Sequence, residues 1–139
     1  LEKIKWDEKF SIGISEIDAQ HQKLFQMINV MNDIHNGEVL EKSSLGVVLL
    51  EMMEYLRSHF KTEEEMMEKT MYPDFTSHKK EHAIFIDTTI YFSEKMMKNK
   101  FITDELLLFL YNWLITHTML SDQKFGAFAA EKTNGSEHL

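Results

Sequence analysis

Residues 78–82 read HKKEH and residues 59–63 read HFKTE. In each stretch two metal-ligating side chains stand four apart, so on a helix they share one face, about a turn from each other. His21 has Ile17 four residues before it and Leu24 and Phe25 three and four after it. His59 follows Met52, Tyr55 and Leu56 at helical spacing, His82 precedes Phe85 and Ile86, and His117 follows Leu110, Trp113 and Leu114. Each of these histidines falls on the core-facing stripe of a different segment, and His78 shares the face of His82. One buried histidine with a hydrogen-bond partner is ordinary. Five in one small core demand more partners than this core offers, and a metal ion satisfies several at once.

Glu63 lies on the same stripe as His59, where a buried carboxylate is costly without a cation beside it. Glu64 and Glu65 read as a solvated acidic face. Asp122 stands five residues after His117 in HTMLSD, which on a straight helix turns it off that face. It reaches a shared centre only if the helix ends or loosens near SDQKFG. The set is therefore His21; His59 and Glu63; His78 and His82; His117 and Asp122. Such a set exceeds what one tetrahedral or octahedral ion accepts. Two ions sharing both carboxylates use every member, one taking three histidines and the other two. With a bridging hydroxide the first ion is filled and the second keeps an open position for a small molecule. His35, beside Asn36 and Gly37, and His138 lie at segment ends and are left out.

Four long segments position these residues. Apolar spacing predicts helices from about 18 to 36, 41 to 70, 74 to 98 and 103 to 120, with a short fifth over 123 to 131. Gly37 is a fitting left-handed stop, Pro73 and Asp74 mark a break, and Thr103 reads as a cap before an acidic first turn. Short links between long helices make neighbours antiparallel, so the expected fold is all-α: an up-down-up-down four-helix bundle. The alternation in FSIGISEI, with no second strand to pair with, makes residues 1–17 an extended arm across the bundle. Residues 18–131 form the bundle domain, and the polar tail 132–139 is expected to fray.

Composition agrees and excludes other classes. The chain has 139 residues, 43% hydrophobic and 27% charged, which suits one globular domain. A net charge of −8 argues against nucleic acid or an anionic membrane surface as partner. Cysteine is absent, which removes disulfides and thiolate ligands. No apolar run has the length of a membrane span and no signal peptide opens the chain, so cytoplasm is the default.

The order W-x₃-F (Trp6, Phe10), D-x-Q-H (Asp18 to His21), H-F-x-x-E (His59 to Glu63), H-x₃-H (His78, His82) and W-L-x-x-H-x₄-D (Trp113 to Asp122) resembles hemerythrin, in particular the bacterial single-domain type. The resemblance spans residues 6 to about 125 and includes the five-residue step from His117 to Asp122. It implies two non-haem iron ions. His78, His82 and His117 would hold the filled one and His21 and His59 the open one, bridged by Glu63, Asp122 and a hydroxide or oxide. It further implies reversible binding of dioxygen, end-on at the open iron, with both irons passing from ferrous to ferric. The formal charge of the centre is the same before and after, so a dry core opposes the change little. Trp113 and Leu114 are expected to wall the oxygen pocket.

Three other readings stand beside this one. An oxygen- or redox-sensing module would sit beside a signalling domain, and a chain opening at Leu1 fits a piece of a longer protein. A di-iron peroxidase or oxidase of the ferritin-like class needs Glu-x-x-His on two helices, a pattern absent here. A structural bundle with adventitious zinc would hold one ion where two irons are expected.

Overall fold

The computed structural model describes residues 2–37, 45–96 and 101–137, apart from the side chains of residues 101, 102 and 134–137. The helices are α1 (Ser15–His35), α2 (Leu45–Lys69), α3 (Phe75–Met96), α4 (Phe101–His117) and α5 (Gln123–Glu137). A π-helical turn, Thr118–Asp122, joins α4 to α5 without a break. No strand occurs among the described residues.

The ends follow local chemistry. α1 stops where Gly37 takes φ +77°, and α2 stops at Met71, whose φ of +57° lets the Tyr72 N–H reach the Met67 carbonyl at 2.9 Å. α1 begins at Ser15, earlier than Asp18, because Asp18 has another use. Its carboxylate accepts from Ser11 Oγ at 2.6 Å and from the Ile12 N–H at 2.9 Å, which ties the arm to the helix. α4 also starts early, at Phe101, so Thr103 is a buried residue inside the helix and not its cap. α5 continues past residue 131 to Glu137, so residues 132–137 extend the helix. The expected start of the second helix near Glu41, the end of the third at Lys98, and His138 lie outside the described residues.

α1 packs against α2 and α4, and α3 packs against the same two, which closes the ring of an up-down-up-down bundle. Alternation of direction has one consequence for chemistry. His21 lies early in α1, His59 and Glu63 late in α2, His78 and His82 early in α3, and His117 at the end of α4. All therefore meet at one end. The rest of the bundle is filled by Leu24, Phe25, Ile28, Met31, Leu49, Met52, Leu56, Phe60, Phe85, Leu106 and Leu110. Each such side chain contributes about 1.5–3 kcal/mol on burial. A smaller cluster of Met67, Tyr72 and Phe125 seals the space under α5.

The arm is extended apart from a 3₁₀ turn at Glu8–Phe10, and buries Ile4, Phe10 and Ile12. The Ile4 backbone exchanges two 2.9 Å hydrogen bonds with the Asn29 side chain, as it would with a neighbouring strand. Further on, the arm presses on α5 at Gly126, where an added Cβ would lie 2.1 Å from the Ile12 carbonyl oxygen. Only glycine allows that approach. No helix among the described residues is long and apolar enough to cross a membrane.

Candidate metal centre

The seven residues singled out by spacing converge, and none is more than 5% exposed. Asp122 gets there by the π turn. An i→i+5 turn accommodates an extra residue, so the fifth residue after His117 comes round to the face that the fourth would occupy on an α-helix.

Their polar atoms form two groups, Glu63, His78, His82, His117 and Asp122 in one, and His21, His59, Glu63 and Asp122 in the other. The two carboxylates belong to both, one oxygen to each side. Asp122 turns Oδ1 to His78 Nε2 (2.9 Å) and His117 Nε2 (3.0 Å), and Oδ2 to His21 Nε2 (3.0 Å). Glu63 turns Oε1 to His59 Nε2 (2.5 Å) and His21 Nε2 (3.8 Å), and Oε2 to His78 Nε2 (3.6 Å). The Nε2 atoms of His82 and His117 face each other at 3.1 Å.

This cluster fits cations better than it fits itself. Among the described residues, the buried side-chain polar atoms that make no hydrogen bond of good geometry are Thr118 Oγ1, both nitrogens of His21, His78 Nε2, and all four oxygens of Glu63 and Asp122, although several of them lie close to one another. Facing acceptors and orphaned oxygens are costly in a dry core unless positive charge lies between them. Nitrogen and oxygen donors without thiolate suit a borderline first-row ion.

Protonation tells the same story. Burial alone would push the imidazoles down, but at His21 the carboxylates of Asp122 and Glu63 outweigh it and raise the pKa to about 9. At His117 burial is again outweighed, chiefly by the charge of Asp122, and the pKa rises to about 10. His78 is raised in the same way. His82 goes the other way, to about 3, because burial and the neighbouring cationic imidazoles prevail. Burial disfavours ionised Glu63 and Asp122, yet the imidazoles around them hold both carboxyls below their usual range. Protons thus supply the positive charge that metal ions would bring.

The outward nitrogens are held as well. His59 Nδ1 donates to Gln20 Oε1 (2.6 Å), His82 Nδ1 to Glu64 Oε2 (3.1 Å), and His117 Nδ1 to Glu81 Oε2 (2.8 Å). Ser121 Oγ donates to the same Glu81 oxygen at 2.7 Å. Each bond keeps the proton on Nδ1 and leaves Nε2 free to ligate. Glu64 is therefore not the solvated residue its acidic run suggested, while Glu65 is exposed. Spacing also passed over Gln20 and Glu81, whose signal is that each directly precedes a ligand.

Leu114 is buried in the apolar cluster one turn before His117. Trp113 is half-buried and lies flat on the His117 ring, 4.3 Å between centroids and 12° between planes. Its other ring contacts are Phe60 and Phe85. Trp113 thus packs directly against a ligand of the three-histidine group. His35 pairs at 2.6 Å with Asp104.

Residues 12–129 match the family model described as the Hemerythrin HHE cation binding domain. A bacteriohemerythrin of Stenotrophomonas maltophilia is 32% identical over 120 residues, covering 86% of this chain and 77% of that protein. A hemerythrin-like protein of Naegleria gruberi is 31% identical over 120 residues, covering 86% and 88%. The crystal structure of a wild-type hemerythrin superposes with a TM-score of 0.76 at 27% identity, covering 91% of this chain and 97% of that one.

Proposed function

The chain belongs to the hemerythrin family, and from that premise we propose that it binds dioxygen reversibly at a pair of non-haem irons. The observation that carries this reading is the sharing of Glu63 and Asp122 between a three-histidine and a two-histidine group. His78, His82 and His117 would hold one ion, His21 and His59 the other, with the carboxylates bridging. When bound, the pair supplies two electrons that dioxygen takes up and returns, and the position short of a protein ligand is where it enters.

The chain's own residues set the conditions. Five neutral imidazoles and two carboxylates leave the loaded site with a small net charge, which a dry core tolerates. Leu114, buried in the apolar cluster one turn before His117, would wall the site and keep water from it, and Phe60 stacks on the His82 ring at 3.8 Å. The Nδ1 bonds from Gln20, Glu64 and Glu81 hold His59, His82 and His117 in the ligating tautomer. The role is binding and not turnover, since the ferritin-like Glu-x-x-His pattern is missing and imidazole donors stabilise high-valent iron less than carboxylates do. A cytoplasmic setting, with dioxygen as the ligand, completes the reading.

The test is an iron analysis with an absorption spectrum of the reduced, loaded protein before and after air. Two irons per chain and a visible charge-transfer band that fades on deoxygenation are expected. A single zinc, or a band that air produces and vacuum does not remove, would overturn the proposal.

A further inference from the structure

The three outer partners share a pattern that the family assignment does not supply. Gln20 stands next to His21 on α1 and supports His59 on α2. Glu64 stands next to Glu63 on α2 and supports His82 on α3. Glu81 stands next to His82 on α3 and supports His117 on α4. A residue adjacent to a ligand points about 100° away from the ligand's direction, toward the neighbouring helix, and so can reach that helix's histidine from outside. Each helix orients a ligand of the next.

The series does not close. His21 is the histidine that a partner from α4 would serve, and its Nδ1 is buried with no hydrogen-bond partner. Support is thus unequal between the two groups. On the three-histidine side, His82 and His117 are each backed by a carboxylate, which both fixes the ring and makes it a stronger donor. On the two-histidine side, His59 is backed by a neutral amide, and among the described residues no group bonds His21 Nδ1.

Resting on the two-metal reading above, we propose that Gln20, Glu64 and Glu81 are positioning residues forming a one-way series, and that its open end at His21 makes the two-histidine position the weaker metal site, filled last and emptied first. Glu81 has a second hold on the site, because Ser121 in the π turn donates to the same oxygen. That second bond holds the Glu81 oxygen in place against His117 Nδ1.

The experiment is a Co²⁺ titration of the metal-free chain, followed by visible absorption and calorimetry. Two ions should enter in two resolved steps. Glu64→Gln and Glu81→Gln should weaken the tighter step about 10–100-fold and leave the other within about threefold. Gln20→Met should weaken the looser step alone, and Gln20→Glu should strengthen it, a reversal that general loosening of the fold cannot produce. Should Glu81→Gln fail to fold, Ser121→Ala tests the same carboxylate, with a smaller weakening confined to the tighter step. Two equal steps in the unaltered chain, or variants that shift both steps alike, overturn the inference and leave the two-metal reading standing. Uptake of fewer than two ions by the unaltered chain defeats both.

Discussion

Around Leu24, Leu56, Phe85 and Leu110 the bundle is closed by apolar side chains with 0–1% exposure. One to about three turns farther toward the other end, His21, Glu63 and Asp122 are buried to the same degree. The two regions are equally dry, but only the first is stable by itself. Apolar burial there needs nothing from outside, whereas the polar end carries orphaned oxygens and opposed imidazoles that only bound charge can satisfy. The difference separates what folds the chain from what the chain is folded to hold.

Deleting a shared ligand should break the comparison most severely. Glu63→Ala is expected to abolish binding of both ions, taking metal content from two per chain to none, while circular dichroism stays helical. In the apolar region the reverse holds. Phe85, in ring contact with Phe60, Phe109 and Trp113, should cost about 3–5 kcal/mol on change to alanine, by the same amount with and without metal in denaturant titrations.

Metal removal is the next lever. At a thousandfold excess over the dissociation constant, binding adds about 4 kcal/mol of stability, so chelation should lower the melting temperature strongly. The metal-free chain should also show a distinctive pH profile. His21 and His117 rise from 6.5 to about 9 and about 10, so their contribution is complete below pH 6.5 and lost as pH climbs through those values. The loaded chain, whose imidazoles are already deprotonated, should lack that alkaline loss, and parallel melts from pH 6 to 10 would show it.

Leu114 lies on the boundary between the regions. Leu114→Ala should cost about 2–5 kcal/mol and, by admitting water, speed oxidation of the reduced centre in air. An unchanged oxidation rate would confine Leu114 to packing. Gly126→Ala should have the smallest effect on the centre, with metal content unchanged, but should cost about 3 kcal/mol or more in stability because its Cβ meets the Ile12 backbone.

The same comparison explains what the sequence could reveal. His59 and Glu63, or His78 and His82, share a helix face whatever surrounds them, so four-residue spacing and the apolar stripe suffice. Glu64 and Glu81 sit one residue off that stripe, and one helix alone gives them no reason to be more than surface acids. Their use depends on which helix stands beside them, which is tertiary information. For Trp113 spacing gives only the side of the helix it shares with His117; that its ring lies flat on that imidazole is seen only once the helix is packed. Thr103 has the hydroxyl of a cap, but the two residues before it are already helical.

The π turn also fixes what comes after it. One surplus residue within a continuous rod shifts the phase of everything downstream, so α4 and α5 follow two registers offset by that insertion. Shortening Thr118–Ser121 by one residue would restore an ordinary four-residue step to the aspartate. It would also swing Phe125 and Gly126 roughly 100° about the axis, pulling the plug from beneath α5 and closing the notch in which the N-terminal strap rests.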